Sequence, residues 1–354
     1  MIRCKYLVGL SIVVAVTLLI TGLAIGKELS REEIIAEAKK EGKLMYYFAG
    51  DISRKQKVVN TFKKKYPFID VRMWEASHSK IYQKLQLEKR IGKVTADVIS
   101  FSNPLYFIYL KNAGMLLYYL SPEHKHYRHL LEKGKIGFHY DQGYWTPYRI
   151  DFPLIVYRTD KWSKKNAPKS WKDLLNSKYK GEILFPDPRY GEDEKFIFYS
   201  LKEQLGTDYL KKLADNDIMF AVRGGGVKMK LITGERSIGI IGTRWVMRAL
   251  LHDKAPIDFF IPEEGGPAFL KNVAILKDAP HPNCARLFID YFLSQENIEF
   301  LRDDGYEIGT RDDFLPKENK VTLETYKKVW PFNSEKFMKE IDGVLKEFVR
   351  IFRL

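Results

Sequence analysis

The sequence predicts an α/β protein folded into two lobes that are joined by a hinge. Past residue 26, short apolar runs alternate with amphipathic helical patterns, which is typical of mixed sheets flanked by helices. The 354 residues are enough to bury two cores of ordinary size. Two extended segments, 144–160 and 258–278, are too apolar for flexible linkers and contain prolines or paired glycines. We interpret both as crossings between the lobes, so that the first lobe is discontinuous and the pair can hinge.

These crossings divide the chain into four parts. Residues 1–26 precede the globular region, 27–150 together with 268–320 form the first lobe, and 151–267 form the second. Residues 321–354 are expected to form C-terminal helices that dock on the lobes, because they carry an apolar stripe at helical spacing after a cap at Asn333 or Ser334. The stripe consists of Phe337, Ile341, Val344, Leu345, Phe348 and Phe352.

The first 26 residues have the pattern of an export signal. Arg3 and Lys5 precede an uncharged, largely apolar run that ends at Gly26. A run of roughly 20 residues is also long enough to span a bilayer if it is retained, and the small residues that end at Ala24 offer a weak cleavage site. The protein is therefore expected to be exported, extracellular or periplasmic, with removal and membrane anchoring both open.

The charge balance is basic, with 59 Lys and Arg against 45 Asp and Glu, a formal net charge of +14. Such an excess attracts nucleic acid, an anionic surface or an anionic small ligand. Many lysines nevertheless fit the solvated face of a helix, as in the stretch "KQKVVNTFKKKYP" from Lys55. Charge alone therefore does not select a partner.

Strand–turn–helix units follow one another along the chain. A strand at 44–48 precedes a turn where Ser53 can cap a helix, and "FIDVRMWE" is a second strand. A strand at 98–101 leads to a cap at Ser102 or Asn103, with Pro104 in the first helical position. A strand at 183–185 runs through a Pro-Asp-Pro-Arg turn into a helix that begins near residue 192.

Two further units complete the pattern. A glycine-rich turn opens the amphipathic stretch 223–235, and "RSIGIIGTRWVMRALL" changes from strand to helix at Arg244 and Trp245. Ligands of open α/β sheets bind at the carboxyl ends of strands, where helix N-termini offer free N–H groups. We therefore expect one shared cleft to gather the residues at these joints, which are Asp51, Ser53, Ser102, Asn103, Arg189, Tyr190, Arg223, Gly224, Gly225, Gly226, Arg244 and Trp245.

In this order, the pieces resemble an extracellular solute-binding protein of an ABC importer with the type II periplasmic-binding fold. The resemblance extends to the branch that binds ferric iron, phosphosugars, phosphonates, thiamine and polyamines. The residues that carry it cover most of 44–301 and are "ADVISFSNP", "SWKDLLNSKYKGEILFPDPRYG", "LITGERSIGIIG", "PEEGGP" and "AILKDAPHPNCARLFIDYFLSQENIEFL".

The resemblance implies a two-lobed receptor, each lobe a mixed sheet flanked by helices, that closes on a small solute and delivers it to a membrane permease. No cofactor is expected, and the protein is expected to be a monomer. The absence of a catalytic motif argues against an enzyme, and export argues against a nucleic-acid partner. The ligand contacts that the resemblance implies are Asp51, Ile52, Ser53, Ser102, Asn103, Arg149, Asp151, Arg189, Tyr190, Arg223, Gly224, Gly225, Arg244 and Trp245.

One departure from the family concerns the ligand. Where the ferric binders carry two adjacent tyrosines, this chain aligns Arg244 and Trp245. A guanidinium repels a metal cation but suits phosphate, phosphonate or carboxylate. We therefore expect a small anionic or zwitterionic solute. A metal receptor that uses a synergistic anion, with Tyr190 and Tyr106 as phenolate candidates, remains the alternative, as does a polyamine or thiamine binder.

Each arginine also has an interpretation that involves no ligand. Arg189 can pair with Asp187 or Glu192, Arg149 can pair with Asp151, Arg244 can point to solvent, and Trp245 can fill the core. The sequence therefore leaves open which of these side chains contact the ligand.

Other constellations are weaker. His124, His126 and His129 have ligand types that suit zinc or copper but no firm metal spacing, so a solvated loop is the preferred interpretation. No nucleophile elbow, phosphate loop or metalloprotease helix occurs in the sequence. Cys284 is the only cysteine beyond the export segment; it allows no intrachain disulfide there and is expected to be buried.

Overall fold

The computed structural model describes residues 29–128, 141–314, 321, 325–326 and 328–354. The expected export segment lies outside these residues, as does His129. Across the described part of the chain, no helix is both long and apolar enough to cross a membrane.

Two mixed β-sheets organise the chain. The first has six strands in the order β11-β4-β10-β3-β1-β2, and the second has five in the order β7-β6-β8-β5-β9. The predicted α/β class with two mixed sheets is confirmed. The strands are Lys43–Phe48 (β1), Asp70–Glu75 (β2), Val98–Phe101 (β3), Thr146–Asp151 (β4), Pro153–Arg158 (β5), Ile183–Pro186 (β6), Met219–Ala221 (β7), Ile238–Gly242 (β8), Ile257–Phe260 (β9), Phe269–Ile275 (β10) and Ile308–Gly309 (β11).

Helices flank both sheets. The helices are Arg31–Glu41 (α1), Ile52–Lys65 (α2), His78–Arg90 (α3), Pro104–Asn112 (α4), Glu192–Leu205 (α5), Thr207–Ala214 (α6), Arg223–Thr233 (α7), Thr243–Met247 (α8), Pro282–Leu293 (α9), Gln295–Gly305 (α10) and Ser334–Phe352 (α11). Helix α8 continues as a π-helical turn through His252.

The chain passes between the sheets at two places. Strand β4 pairs within the six-stranded sheet, and β5, which follows after one residue, pairs within the five-stranded sheet. Strand β9 pairs with β5, whereas the next strand, β10, pairs antiparallel with β3 and β4. In each sheet, parallel neighbours place strand ends and helix starts at the same edge, which positions the loops described below.

Local sequence signals set several of these boundaries. Strand β3 covers the predicted residues, Asn103 caps α4 by accepting from Leu105 N, and Pro104 is the first helical residue. Helix α5 begins at Glu192 as predicted. Helix α2 begins two residues earlier than predicted, because Asp51 rather than Ser53 accepts the capping hydrogen bond, from Arg54 N.

The beginning of α7 also differs from the prediction. Residues Gly224 and Gly225 belong to its first turn rather than to a separate glycine-rich turn. Arg223 enters this helix with φ +56°, in the left-handed region that glycine usually occupies.

Helix α11 packs its apolar stripe on the rest of the protein. Asn333 caps it by accepting from Lys336 N, as one of the two predicted caps. Phe348 is fully buried, with ring centroids 5.2 Å from Phe198 and 4.9 Å from Phe220. The same helix reaches the first sheet's helices, since Met338 Sδ accepts from Asn103 Nδ2 at 3.5 Å. Of the expected C-terminal helices, α11 is the one that the described residues contain.

The described histidines of the 121–129 region have structural roles. His124 is buried, and its Nε2 lies 2.7 Å from Thr146 Oγ1. His126 Nδ1 lies 3.2 Å from an Asp313 carboxylate oxygen. The expectation of a solvated loop is therefore wrong for His124. Cys284 is buried as expected.

Candidate functional site

A cleft of about 620 Å³ opens between the two sheets. From the six-stranded sheet it is lined by the loops that follow β1 and β2, by β4 and β10, and by the residue before β11. From the five-stranded sheet it is lined by the loops that follow β6, β7 and β8. These are the strand ends at which the sequence places polar and aromatic residues.

The structure brings most of the predicted contact residues to this cleft. Four of them lie elsewhere: Ile52 and Ser53 are exposed on the first turn of α2, whereas Ser102 and Asn103 border a smaller cavity. The predicted residues that line the cleft are Asp51, Arg149, Asp151, Arg189, Tyr190, Arg223, Gly224, Gly225, Arg244 and Trp245.

Three guanidinium groups surround the carboxylate of Glu307 on the floor of the cleft. Arg54 Nη1 and Arg149 Nη1 each donate to Glu307 Oε1 at 2.5 Å, and Arg244 Nη1 lies 3.8 Å from the same oxygen. The Glu307 side chain is only 3% exposed. Although burial opposes ionisation, the neighbouring Arg149 and Arg54 lower the pKa of Glu307, so the carboxylate is charged.

Arg149 keeps an unused donor in this arrangement. Its Nη2 lies 3.8 Å from Asp151, but its buried Nε has no hydrogen-bond partner among the described residues. A buried N–H without an acceptor is costly, so an acceptor brought by a ligand would stabilise it. The predicted pairing with Asp151 thus exists, but Glu307 is the nearer counter-ion.

Lys55 is a further cation at the floor of the cleft and is buried. Its ammonium donates to Tyr148 Oη at 2.8 Å and lies 4.9 and 4.8 Å from the ring centroids of Tyr148 and Phe292. Burial opposes ionisation of Tyr148, yet the Lys55 charge lowers its pKa. The sequence pattern places Lys55 on the solvated face of α2, which is wrong because Lys55 and Arg54 are both buried at the cleft.

Trp245 forms the opposite wall. A Cβ added to Gly224 would lie 2.7 Å from Trp245 Cδ1, and one added to Gly225 would lie 3.2 Å from Trp245 Cη2. The two glycines therefore let the indole ring lie against the start of α7. The Arg244 guanidinium lies 4.0 Å from the centre of the same ring. Thus Arg244 stacks on Trp245 instead of pointing to solvent, and Trp245 both packs against the core and lines the cleft.

The N-terminus of α7 faces the cleft without a side-chain cap. Val222 occupies the capping position and makes no side-chain hydrogen bond, and the first turn contains no acidic residue. Residues Arg223 to Gly225 of that turn line the cleft. Because the first N–H groups of a helix carry partial positive charge, this end is suited to a negative group.

The remaining two predicted arginines form hydrogen bonds with groups other than Glu307. Arg189 donates from Nε and Nη2 to Asp187 at 2.7–3.1 Å, so the alternative pairing is present. Arg223 Nε donates to the carbonyl of Tyr190 at 3.2 Å. Both side chains lie at the rim, where Tyr190 is 51% exposed.

Acidic groups occupy the side of the cleft near α5. Lys271 Nζ lies 2.9 Å from Asp193 Oδ2 and thereby joins β10 to α5 across the two sheets. Burial opposes ionisation of Asp193, but Lys271 lowers its pKa. Burial, reinforced by Asp193, raises the pKa of Glu194 to about 7, and burial raises that of Asp151 to about 6.

His78, the first residue of α3, lies on the same side. Burial and the Lys271 charge lower its pKa to about 3, so the ring is neutral. Its buried Nδ1 has no partner among the described residues. A neutral imidazole offers either a donor or an acceptor to a ligand, depending on the tautomer.

The sequence reasoning missed several of these cleft residues. The signal for Arg54 and Lys55 is electrostatic, because cations in the first turn of a helix oppose its dipole and suggest another role. The others are set by contacts with residues far away in the chain and have no local signature. The missed residues are Arg54, Lys55, His78, Asp193, Glu194, Lys271 and Glu307.

The two tyrosines considered for metal binding, Tyr106 and Tyr190, do not both line the cleft. Tyr106 is buried against Tyr82, with ring centroids 4.8 Å apart, and it is not among the cleft residues. Within the described residues, no group of three or more His, Cys, Asp or Glu side chains is placed to hold a metal ion.

Comparison with known proteins connects this architecture to transport receptors. Residues 93–329 match the family model described as bacterial extracellular solute-binding protein. The phosphoglycerate transport regulatory protein PgtC of Salmonella typhimurium is 25% identical over 157 residues, which cover 43% of this chain and 39% of that protein. This chain spans less than half the length of the curated relatives that it matches.

Two solved structures have the same fold. The periplasmic binding protein AfuA from Actinobacillus pleuropneumoniae, with fructose-6-phosphate bound, superposes with a TM-score of 0.72 at 22% identity over 88% of this chain and 99% of that one. Iron-bound HitA from Pseudomonas aeruginosa superposes with a TM-score of 0.70 at 17% identity over 87% of this chain and 99% of that one. The predicted two-lobed periplasmic-binding fold is confirmed.

Proposed function

Because the chain belongs to the bacterial extracellular solute-binding protein family, we propose that it captures a small anionic or zwitterionic solute in the cleft between its sheets. Phosphate esters, phosphonates and carboxylates are the proposed classes. The receptor would then present the solute to the membrane permease of an ABC importer. Binding, rather than catalysis, is the role proposed for the cleft residues.

The observation that carries the proposal is the convergence of positive groups in one cleft. Arg54, Arg149 and Arg244 come from three separate elements, and the uncapped start of α7 faces the same space. Phosphate and carboxylate oxygens accept strong hydrogen bonds from guanidinium groups and from free backbone N–H groups at a helix start. The unpartnered Arg149 Nε supports the same conclusion, since it lacks an acceptor among the described residues.

The acidic side of the cleft favours a ligand that is not purely anionic. Glu194 and Asp151 face the same space as the arginines, and Glu192 has a buried Oε2 without a partner among the described residues. A hydroxyl or ammonium group on the ligand would donate to these oxygens. A zwitterion, or an anion that carries hydroxyl groups, therefore uses both sides.

We further propose that residues 27–150 with 268–320 and residues 151–267 move as two hinged lobes. The two strand-to-strand crossings are the segments where such a motion would be absorbed. Lys271–Asp193 and Arg244–Glu307 are contacts between the lobes that such a motion would make and break. Export, with or without a membrane anchor formed by residues 1–26, is part of the same proposal.

The proposal is tested by isothermal titration of the full chain with glycerol 3-phosphate, a phosphonate, a carboxylate, spermidine, thiamine and ferric citrate. A saturable signal from an anion is expected, and Arg149→Met is expected to weaken it about 10- to 100-fold, because a charged hydrogen-bond donor is lost. Arg72→Met is the matched control, because Arg72 is exposed and outside the cleft. Binding of spermidine or thiamine in preference to every anion would refute the ligand class, and a visible phenolate–iron colour would favour the metal alternative.

A further inference from the structure

Glu307 occupies the place where an anionic ligand would neutralise the cleft arginines. A sharp turn places Glu307 beside these arginines, because the preceding residue, Tyr306, ends α10 in the left-handed conformation with φ +55°. Gly305 provides room, because a Cβ at that position would lie 3.1 Å from Glu307 Cγ and 3.4 Å from Arg54 Nε. The carboxylate is thus held at a fixed position among the guanidinium groups and is present whether or not a solute is bound.

The charges near Glu307 almost cancel. Four cations surround the floor of the cleft, and three carboxylates lie among them, which leaves an excess of one positive charge. The cations are Arg54, Lys55, Arg149 and Arg244, and the carboxylates are Glu307, Asp51 and Asp151. Without Glu307, the same floor would carry two positive charges in excess.

We propose that Glu307 is a specificity-determining residue that restricts the cleft to ligand groups with a single negative charge. This inference rests on the proposed anion-binding function. Two hydrogen bonds at 2.5 Å to one buried oxygen make Glu307 an internal competitor for Arg54 and Arg149. A doubly charged group brings a second charge for which the floor has no excess cation, so its repulsion by Glu307 is uncompensated.

The expected effect follows from the charge that the ligand carries. At an effective dielectric of about 20, removal of one unit charge from the floor strengthens binding of a single ligand charge by about ten-fold even if the two charges are about 12 Å apart, and of two ligand charges by about a hundred-fold. The ratio of the two affinities therefore changes by about ten-fold. Loss of packing or of hydrogen bonds would instead change both affinities by a similar factor.

The test is isothermal titration of the full chain and of Glu307→Gln with two three-carbon probes at pH 8. Glycerol 3-phosphate carries two negative charges at this pH, and glycerate carries one. Glutamine keeps an oxygen that accepts from Arg54 and Arg149 while it removes the charge, so the fold is expected to persist. Glu123→Gln is the matched control, because Glu123 accepts from the buried Arg311 at 2.6 Å and does not line the cleft.

The natural chain is expected to prefer glycerate, and Glu307→Gln is expected to shift the affinity ratio about ten-fold towards glycerol 3-phosphate, whereas Glu123→Gln leaves it unchanged. An unchanged ratio in a folded Glu307→Gln protein overturns the inference and leaves the receptor proposal standing. If neither probe binds the natural chain or the variant, the anion proposal and this inference both fail. If Glu307→Gln does not fold, Arg54→Met is the second variant, because it removes one cation from the floor while Glu307 stays paired with Arg149. The ratio of the two affinities in Arg54→Met is expected to shift about ten-fold towards glycerate, and an unchanged ratio overturns the inference.

Discussion

The consecutive glycines at the start of α7 permit a graded test of how the cleft wall is built. An alanine Cβ at position 224 would lie 2.7 Å from Trp245 Cδ1 and 2.8 Å from Trp245 Nε1, closer than real Cβ contacts allow. At position 226 the nearest atom would be the Cβ of Ala221 at 3.5 Å, an ordinary contact. Gly224→Ala must therefore displace the indole ring, whereas Gly226→Ala need displace nothing.

The magnitudes of the two effects have opposite signs. Replacement of glycine by alanine inside a helix stabilises it by about 0.5–1 kcal/mol, which is the expectation for Gly226→Ala. Overpacking costs about 1–3 kcal/mol, so Gly224→Ala is expected to be net destabilising by about 1–2 kcal/mol. The two variants should differ by roughly 2 kcal/mol, which corresponds to roughly 4–8 °C in melting temperature for a unit of 150–250 residues.

Calorimetric melting of both variants measures the stability difference, and titration with an anionic probe measures its functional consequence. Because the Arg244 guanidinium stacks on Trp245 at 4.0 Å, displacement of the ring should also move Arg244 and weaken anion binding by about ten-fold. Gly226→Ala should bind as the natural chain does. Equal stabilisation by the two alanines, with unchanged binding, would refute the packing of Trp245 against α7.

Three other predictions follow from the cleft and the C-terminal helix. The pKa values of Glu194, about 7, and Asp151, about 6, are raised, and a bound anion raises both further, so affinity for glycerate should increase as the pH falls from 8 to 5.5. Glu194→Gln should remove the step near pH 7 in titration calorimetry, and a flat pH profile of the natural chain would contradict the assignment. Lys55→Met should weaken anion binding while the melting temperature stays the same or rises, because the buried ammonium has no carboxylate within 4 Å among the described residues. A large loss of stability would instead indicate that Lys55 is a structural cation. Phe348→Ala should lower the free energy of unfolding by about 3–5 kcal/mol, against less than about 0.5 kcal/mol for the exposed Leu354→Ala, and similar melts for the two variants would show that α11 does not contribute to the core.

The strand–turn–helix units are predictable because their signals are local. Asn103 and Pro104 specify the beginning of α4 through one cap and one fixed φ angle, and both act within three residues. The same holds for the cap of α11 at Asn333. The common edge of the strands then follows from parallel pairing, so a sequence that repeats the unit also predicts a shared cleft.

The first turn of α2 shows where local reasoning stops. Hydrophobic periodicity assigns Lys55 to the solvated face, because the pattern assumes that only one face of a helix is covered. At the cleft a second surface covers the start of the helix: β4 brings Tyr148, and α9 brings Phe292 against Lys55. Which face of a helix meets a second layer is decided by the packing of distant elements, and periodicity alone does not contain that information.

The same limit applies to charge. From the sequence, Arg149 and Arg244 count as fixed cations that require a counter-ion, and a bound anion is the natural candidate. The structure places Glu307, more than sixty residues from either, among both guanidinium groups. A count of cations therefore predicts that a site binds anions but not how many ligand charges it accepts, because that number depends on carboxylates that the fold brings in from elsewhere. For this protein we propose that a single buried side chain, Glu307, sets that number. Glu307→Gln tests the proposal, because it removes the charge of Glu307 and leaves the four cations of the floor in place.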